Sequence, residues 1–221
     1  MVTVNQGNLW IARAIFDLGG VQFGSFNAGE TAVNSPVFVN PRVMFTQPVL
    51  LRRIAEIIAA EVAAGQARRR PRYSRFSLVA GVPFGGLQLA TAYALQADIS
   101  LVLVHPVRPG HDGSAIEGQF VDDDHVLILD DLMTGGGSIV RTIDLLTEFN
   151  LRVHDVIVLI DREQGGVDRL SRRGVQVTSL LTLRPLVTYG YESGLVPRAD
   201  YARTMEYLEP GHRRTPDAPS A

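Results

Sequence analysis

Apolar positions change period along this chain, and the change predicts where helices give way to strands. Over residues 5–18, Leu9, Ile11, Ala12, Ala14, Ile15 and Leu18 recur at helical spacing, and Gly19-Gly20 supplies a stop. Residues 21–45 mix short apolar runs with Gly, Asn and Pro and predict irregular strands or a hairpin. Thr46-Gln47-Pro48 reads as a cap with Pro in the first turn, opening an amphipathic helix, VLLRRIAEIIAAEVAAG, that stops at Gly65. The period then alternates. Apolar runs at 76–80, 100–105, 125–129, 153–160 and 175–183 predict buried strands, the third ending in Asp130-Asp131. Helical patterns follow the first run through Leu95 and the third over 138–149. Two more lie near 186–191 and 199–208.

Continuous apolar strands alternating with helices predict an α/β fold, with a mostly parallel sheet covered by helices on both faces. No internal repeat and no linker to a second domain is visible. The stretch from 209 to the end, with PGHRRTPDAPSA, is Pro-rich and polar and predicts a disordered tail.

Composition narrows the chemistry. The chain has 221 residues, 46% of them hydrophobic and 20% charged, which is ordinary for a globular protein. No apolar run approaches the ~20 residues of a membrane span, and MVTVNQGNLW lacks the regions of a signal peptide, so a cytoplasmic location is expected. Cysteine is absent, which excludes a disulfide framework, a zinc–thiolate or iron–sulfur site and a cysteine nucleophile. All 21 Lys+Arg positions are Arg. Without Lys there is no Walker A loop and no Schiff base, hence no pyridoxal phosphate site. A net charge of −2 gives no global reason to expect nucleic-acid binding.

The strongest chemical signal is VLILDDLMTGGGS, residues 126–138. An apolar strand carries Asp130 and Asp131 to the sheet edge where ligands bind in open α/β folds. The small residues Thr134, Gly135, Gly136, Gly137 and Ser138 then lead into a helix N-terminus, where backbone N–H groups and the helix dipole favour a phosphate. The carboxylates suit ribose hydroxyls, or a cation bridged to a second phosphate. A second loop, Gly81-Val82-Pro83-Phe84-Gly85-Gly86, follows the preceding strand and opens another helix.

These loops resemble the phosphoribosyltransferase family, whose motif for 5-phosphoribosyl diphosphate (PRPP) is an apolar strand, two acids and a Thr/Gly-rich loop. The departure is Gly137, where the family usually has Thr or Ser, with Ser138 one place later. GVPFGGLQLAT is similar to the pyrophosphate loop of orotate phosphoribosyltransferases, many of which carry Lys at the place of Gly85. Residues 24–30 with Asn34-Ser35-Pro36-Val37-Phe38-Val39-Asn40-Pro41-Arg42 look like the N-terminal hood of those enzymes, and Asp161-Arg162 like their base-binding pair. The resemblance covers roughly residues 6–166 and implies a hood over 1–45 and a transferase core over 46–208.

The resemblance also implies roles. Asp130 and Asp131 hold the ribose, Thr134–Ser138 the 5′-phosphate and Gly81–Gly85 the diphosphate, while Thr134, Arg162, Asn27 and Phe38 face orotate. Arg162 is chemically suited to a planar carboxylate, its other reading being an ion pair with Asp161 or Glu163 at the surface. In the family a mobile Lys-rich loop from the neighbouring subunit closes over the leaving group. Here its Arg-Lys start is His105-Pro106, with Arg108 near the place of the catalytic Lys and His111 near the family His. The implied reaction is phosphoribosyl transfer from PRPP to orotate, with Mg²⁺ held mainly by substrate and a homodimer as partner state. Two alternatives stay open: a PRPP-binding sensor without catalysis, and a transferase for another base. The run Arg68–Arg72 reads as a solvated connection and Asp122-Asp123-Asp124 as an exposed turn, and no His spacing suggests a metal cage.

Overall fold

The computed structural model describes residues 8–28, 32–105 and 115–209. Arg108 and His111, the turn at 29–31 and residues 210–221 lie outside them, so the expectations for the closing loop and most of the tail do too. Helix α1 (Leu9–Asp17) leads into a hairpin of β1 (Val21–Ala28) and β2 (Ala32–Val39), then a 3₁₀ turn (Pro41–Thr46) and helix α2 (Pro48–Gln66). There follow β3 (Leu78–Gly81), α3 (Gly85–Ala97), β4 (Ser100–Val104), β5 (Ile116–Glu117), β6 (His125–Met133) and α4 (Gly137–Glu148). The chain continues through β7 (Arg152–Asp161), α5 (Gly166–Ser171), β8 (Gln176–Thr182), α6 (Leu183–Glu192) and α7 (Arg198–Tyr207).

The main sheet runs β5-β4-β3-β6-β7-β8, parallel throughout except for β5, which pairs antiparallel with β4. Alternate residues of its central strands enter two separate cores. Val79, Leu127, Leu129, Ile157 and Leu159 face a layer that includes Ile11, Ile15, Ile54, Ile58, Leu89 and Leu186. Their neighbours Leu78, Ala80, Val126, Ile128, Val156 and Val158 face Ile139, Ile143, Leu146 and Leu170. Burial on both sides explains why these strands read as unbroken apolar runs. The hairpin and 3₁₀ turn share the first core through Val37, Val39 and Met44, so the N-terminal segment is packed onto the sheet.

Local chemistry corrects several boundaries. Strand β6 does not end at Leu129; Asp130, Leu132 and Met133 stay in register with Val158, Ile160 and Asp161 of β7. Helix α2 ends at Gln66, one residue past the expected stop at Gly65, where a Cβ would lie 2.3 Å from the Tyr73 ring. Thr46 does not cap α2, because its hydroxyl donates to the Val43 carbonyl at 2.7 Å and Gln47 takes the N-cap place. The short elements β5, α5 and the 3₁₀ turn have too few residues to show a period.

Candidate active site

Parallel pairing with β7 carries Asp130 and Asp131 to the carboxyl edge of the sheet, where they are 5% and 8% exposed. The Asp131 N–H donates to Asp130 Oδ1 at 2.9 Å. Burial pushes both carboxyls above the ordinary range, and at Asp130 the neighbouring Asp131 charge adds to the effect. Hydrogen bonds within the pair oppose this most, at Asp131 from the Asp130 side chain and at Asp130 from the Asp131 N–H, and then comes Arg42 of the 3₁₀ turn, whose Nε lies 3.8 Å from Asp131 Oδ2.

The β3–α3 loop is pressed against this pair so closely that it has no room for side chains. A Cβ on Gly85 would lie 2.2 Å from Asp131 Cγ, and one on Gly86 would lie 2.3 Å from the Leu129 carbonyl oxygen. One on Gly81 would meet the Gly86 carbonyl at 2.4 Å, so the loop also closes on itself. The Val82 N–H anchors it by donating to Leu129 O at 2.9 Å, and the Pro83–Phe84 peptide is cis. Phe84 projects outward, 64% exposed.

The β6–α4 loop turns through Gly136 at φ +75°, a left-handed conformation that glycine adopts without strain. No side chain caps α4, so its first N–H groups are presented to the site. Ser138 Oγ accepts from Arg141 Nη2 at 3.0 Å, and Arg169 Nη1 reaches the Gly135 carbonyl at 3.4 Å. The two loops meet across a cavity of about 240 Å³ lined by Val82, Pro83, His105, Ser138 and Arg141. Thus Gly81–Gly85 and Thr134–Ser138, expected as neighbours, are brought together beside the acids.

On the other side lies Arg162, completely buried at the end of β7. Its Nη2 donates to Ser35 Oγ at 2.6 Å and to the Val37 carbonyl at 3.2 Å, while Nε and Nη1 have no partner in the protein. Burial lowers its pKa from the ordinary arginine value. The expected alternative of a surface pair with Asp161 or Glu163 is therefore overturned. Glu163 instead turns towards α6, accepting the Arg184 N–H at 2.9 Å. The Arg162 backbone N–H binds Met133 O at 2.9 Å, which fixes its main chain to the end of β6.

Asn27 and Phe38 occupy the hairpin above. Asn27 Oδ1 accepts the Asn34 N–H at 2.9 Å, and the Phe38 ring stacks at a tilt on Phe26 with centroids 5.6 Å apart. Two participants carry no mark in the sequence, Gln164 and Tyr207, and Arg42 is marked only as the last residue of the hood resemblance. Gln164 Nε2 donates to the Tyr207 hydroxyl at 2.9 Å, tying α7 to the segment after β7, while Gln164 Oε1 is buried without a partner. A cleft of about 310 Å³ separates Ser25, Asn34 and Pro36 of the hairpin from Arg203, Glu206 and Tyr207 of α7. Arg141 follows Ser138 by one helical turn, a spacing that could have marked it. Among the described residues, no three His, Asp or Glu side chains cluster to hold a metal ion.

Residues 45–175 match the family model for the phosphoribosyl transferase domain. The chain is 32% identical over 178 residues to the orotate phosphoribosyltransferase of Chlamydia caviae, covering 78% of this chain and 81% of that one. It is 29% identical over 174 residues to the uridine 5′-monophosphate synthase of Bos taurus, of which it spans only 35%. Among solved structures it is similar to the orotate phosphoribosyltransferase of Aeropyrum pernix, with 28% identity and a TM-score of 0.69 over 85% of this chain and 99% of that one. It also resembles the UMP synthase of Leishmania donovani, with 26% identity and a TM-score of 0.79 over 91% of this chain and 42% of that one.

Proposed function

Because the chain belongs to the phosphoribosyltransferase family, we propose that it transfers the phosphoribosyl group of PRPP to orotate, giving orotidine 5′-monophosphate and diphosphate. The observation that carries the acceptor is Arg162. A buried guanidinium with two unpartnered nitrogens is costly unless a ligand completes it, and a planar carboxylate fits that need. A protein that only sensed PRPP would have no use for it.

In the reaction a bond forms between the orotate ring nitrogen and the ribose anomeric carbon as the bond to diphosphate breaks. The transition state has oxocarbenium character, so catalysis comes from positioning and from charge. Asp130 and Asp131 accept the ribose hydroxyls, and their negative charge faces the cationic ring. The N–H groups of Thr134–Ser138 hold the 5′-phosphate, those of Gly81–Gly85 the diphosphate, and Arg162 fixes the acceptor. Asn27 and Phe38 line the hood side. Arg108 and His111 close over the leaving group, in place of lysines.

Asp130 and Asp131 are hard donors that suit Mg²⁺ but are too few to cage it; Mg²⁺ brought with the diphosphate would supply charge neutralisation to the leaving group. A cytoplasmic homodimer completes the reading. No described helix is long and apolar enough to cross a membrane.

The test is loss of orotate absorbance with the full chain, PRPP and Mg²⁺. Turnover is expected, and Arg162→Ala is expected to raise the orotate KM while leaving the PRPP KM unchanged. No turnover with orotate, or an unchanged orotate KM, overturns the acceptor assignment.

A further inference from the structure

Arg42 is the cation that the fold places against the acid pair. It stands on the 3₁₀ turn, which buried Pro41, Met44 and Phe45 fix to the core. Asn40 Oδ1 accepts its Nε–H at 3.3 Å, and the same Nε lies 3.8 Å from Asp131 Oδ2. The side chain is half-exposed, so its position is set by these contacts and not by enclosure.

The surrounding elements offer little else. β3 and α3 carry no charged residue, and the 3₁₀ turn carries only Arg42. On β6 itself Asp130 adds a second negative charge, with His125 at the far end of the strand. From β7, Asp161 Oδ1 is engaged by the Glu163 N–H, and the next residue, Arg162, by Ser35 and the Val37 carbonyl. Arg152, His154 and Asp155 lie at the opposite end of β7. On α4, Arg141 binds Ser138 and Asp144 pairs with Arg173, with Glu148 at the far end of the helix.

We propose that Arg42 is a positioning residue for the transfer reaction: through Asp131 it holds the acid pair in the ionised form that accepts the ribose hydroxyls. This goes beyond the phosphoribosyl transfer reading and rests on it for the kinetic consequence. The charge coupling itself does not depend on which base is the acceptor. Two buried like charges resist ionising together, and a guanidinium at ion-pair range of one of them, 3.8 Å away, relieves that resistance. Burial alone pushes both carboxyls upward, which is why the relief matters near neutral pH.

The experiment compares Arg42→Gln and Arg42→Lys with the parent in two measurements. One is the pH profile of kcat/KM for PRPP. The other is the titration of the Asp130 and Asp131 carboxyl carbons by NMR in full-length protein labelled at aspartate, assigned with Asp130→Asn and Asp131→Asn.

In Arg42→Gln both the carboxyl midpoints and the acid limb of the profile are expected to move up by about one pH unit. That is about a ten-fold loss below the limb. The loss is expected to vanish as the pH is raised, and Arg42→Lys to restore most of the profile. In an Asp131→Asn background the Arg42→Gln change is expected to add little. A loss that is the same at every pH marks a structural role and overturns the proposal, as do unmoved midpoints. Midpoints that move without the acid limb also overturn it. Absence of orotate turnover in the parent overturns the acceptor assignment instead, and the titration then decides the role of Arg42.

Discussion

Ser35 and Arg162 are joined across 127 residues of sequence by a hydrogen bond of 2.6 Å, the Arg162 Nη2 donating to the Ser35 hydroxyl. Ser35 in turn donates to the Val37 carbonyl at 2.8 Å, and Val37 also accepts from Arg162. The hairpin is thereby fastened to the side chain that we assign to the acceptor. A bond to a charged donor contributes about 1.5–3 kcal/mol. Ser35→Ala is expected to raise the orotate KM roughly ten- to hundred-fold with little change in the PRPP KM, read by steady-state kinetics.

Asp130 sets function against stability. Its carboxyl is raised in the folded protein, so the fold favours the protonated form. The unfolded chain gives up that proton near pH ~3.9 and the folded chain only at higher pH, so stability is lost as the pH rises between the two. Asp130→Asn removes the loss. It is expected to be inactive yet to melt a few degrees higher than the parent at pH 7.5, by calorimetry. The two melting points are expected to converge near pH 4.

Gly85 and Gly86 separate two kinds of crowding. A methyl at 85 meets a carboxylate that can rotate, whereas one at 86 meets the backbone carbonyl of Leu129, which cannot. Overpacking costs about 1–3 kcal/mol. Gly86→Ala is expected at the upper end of that range in denaturant unfolding, Gly85→Ala at the lower end. Gly85→Ala is nevertheless expected to lose more than ten-fold in kcat/KM for PRPP, because it displaces Asp131.

Tyr207→Phe removes the acceptor for the Gln164 amide and leaves a buried donor unpaired. The cost is about 1–3 kcal/mol, or about 2–4 °C in Tm per kcal/mol for a chain of this size. Thermal unfolding checks it, and a wild-type Tm would show that the amide finds another partner.

Much of this arrangement was legible because two periodicities coincide with turn chemistry. The run 126–129 is apolar on both sides, and the glycines after it mark a place where backbone must approach a ligand. That was enough to place Asp130, Asp131 and both loops at one edge. What stayed hidden depends on tertiary approach. Arg42 ends the segment that resembles the hood, but nothing in its neighbourhood says that the 3₁₀ turn folds back over β6. Arg162 sits between two acids in sequence, yet the chain leaves the strand here, and a turn with Glu163 at φ +59° sends Glu163 to α6 while Arg162 stays inward. Tyr207 lies on a weakly amphipathic helix that reveals no inner face until Gln164 is seen against it. At Gly65 two causes share one signature, since the glycine stands one residue from the end of α2 and also leaves room for the Tyr73 ring.

The Ser35–Arg162 bond also sets an order of events during synthesis. When the hairpin has left the ribosome, its partner on β7 is 127 residues away. At ~10 residues per second that is a wait of roughly ten seconds. Gln164 then waits for Tyr207, 43 residues later. The phosphate-holding loops can form around β3 and β6 before the acceptor pocket exists. A nascent chain therefore acquires the means to hold PRPP before the means to hold its acceptor.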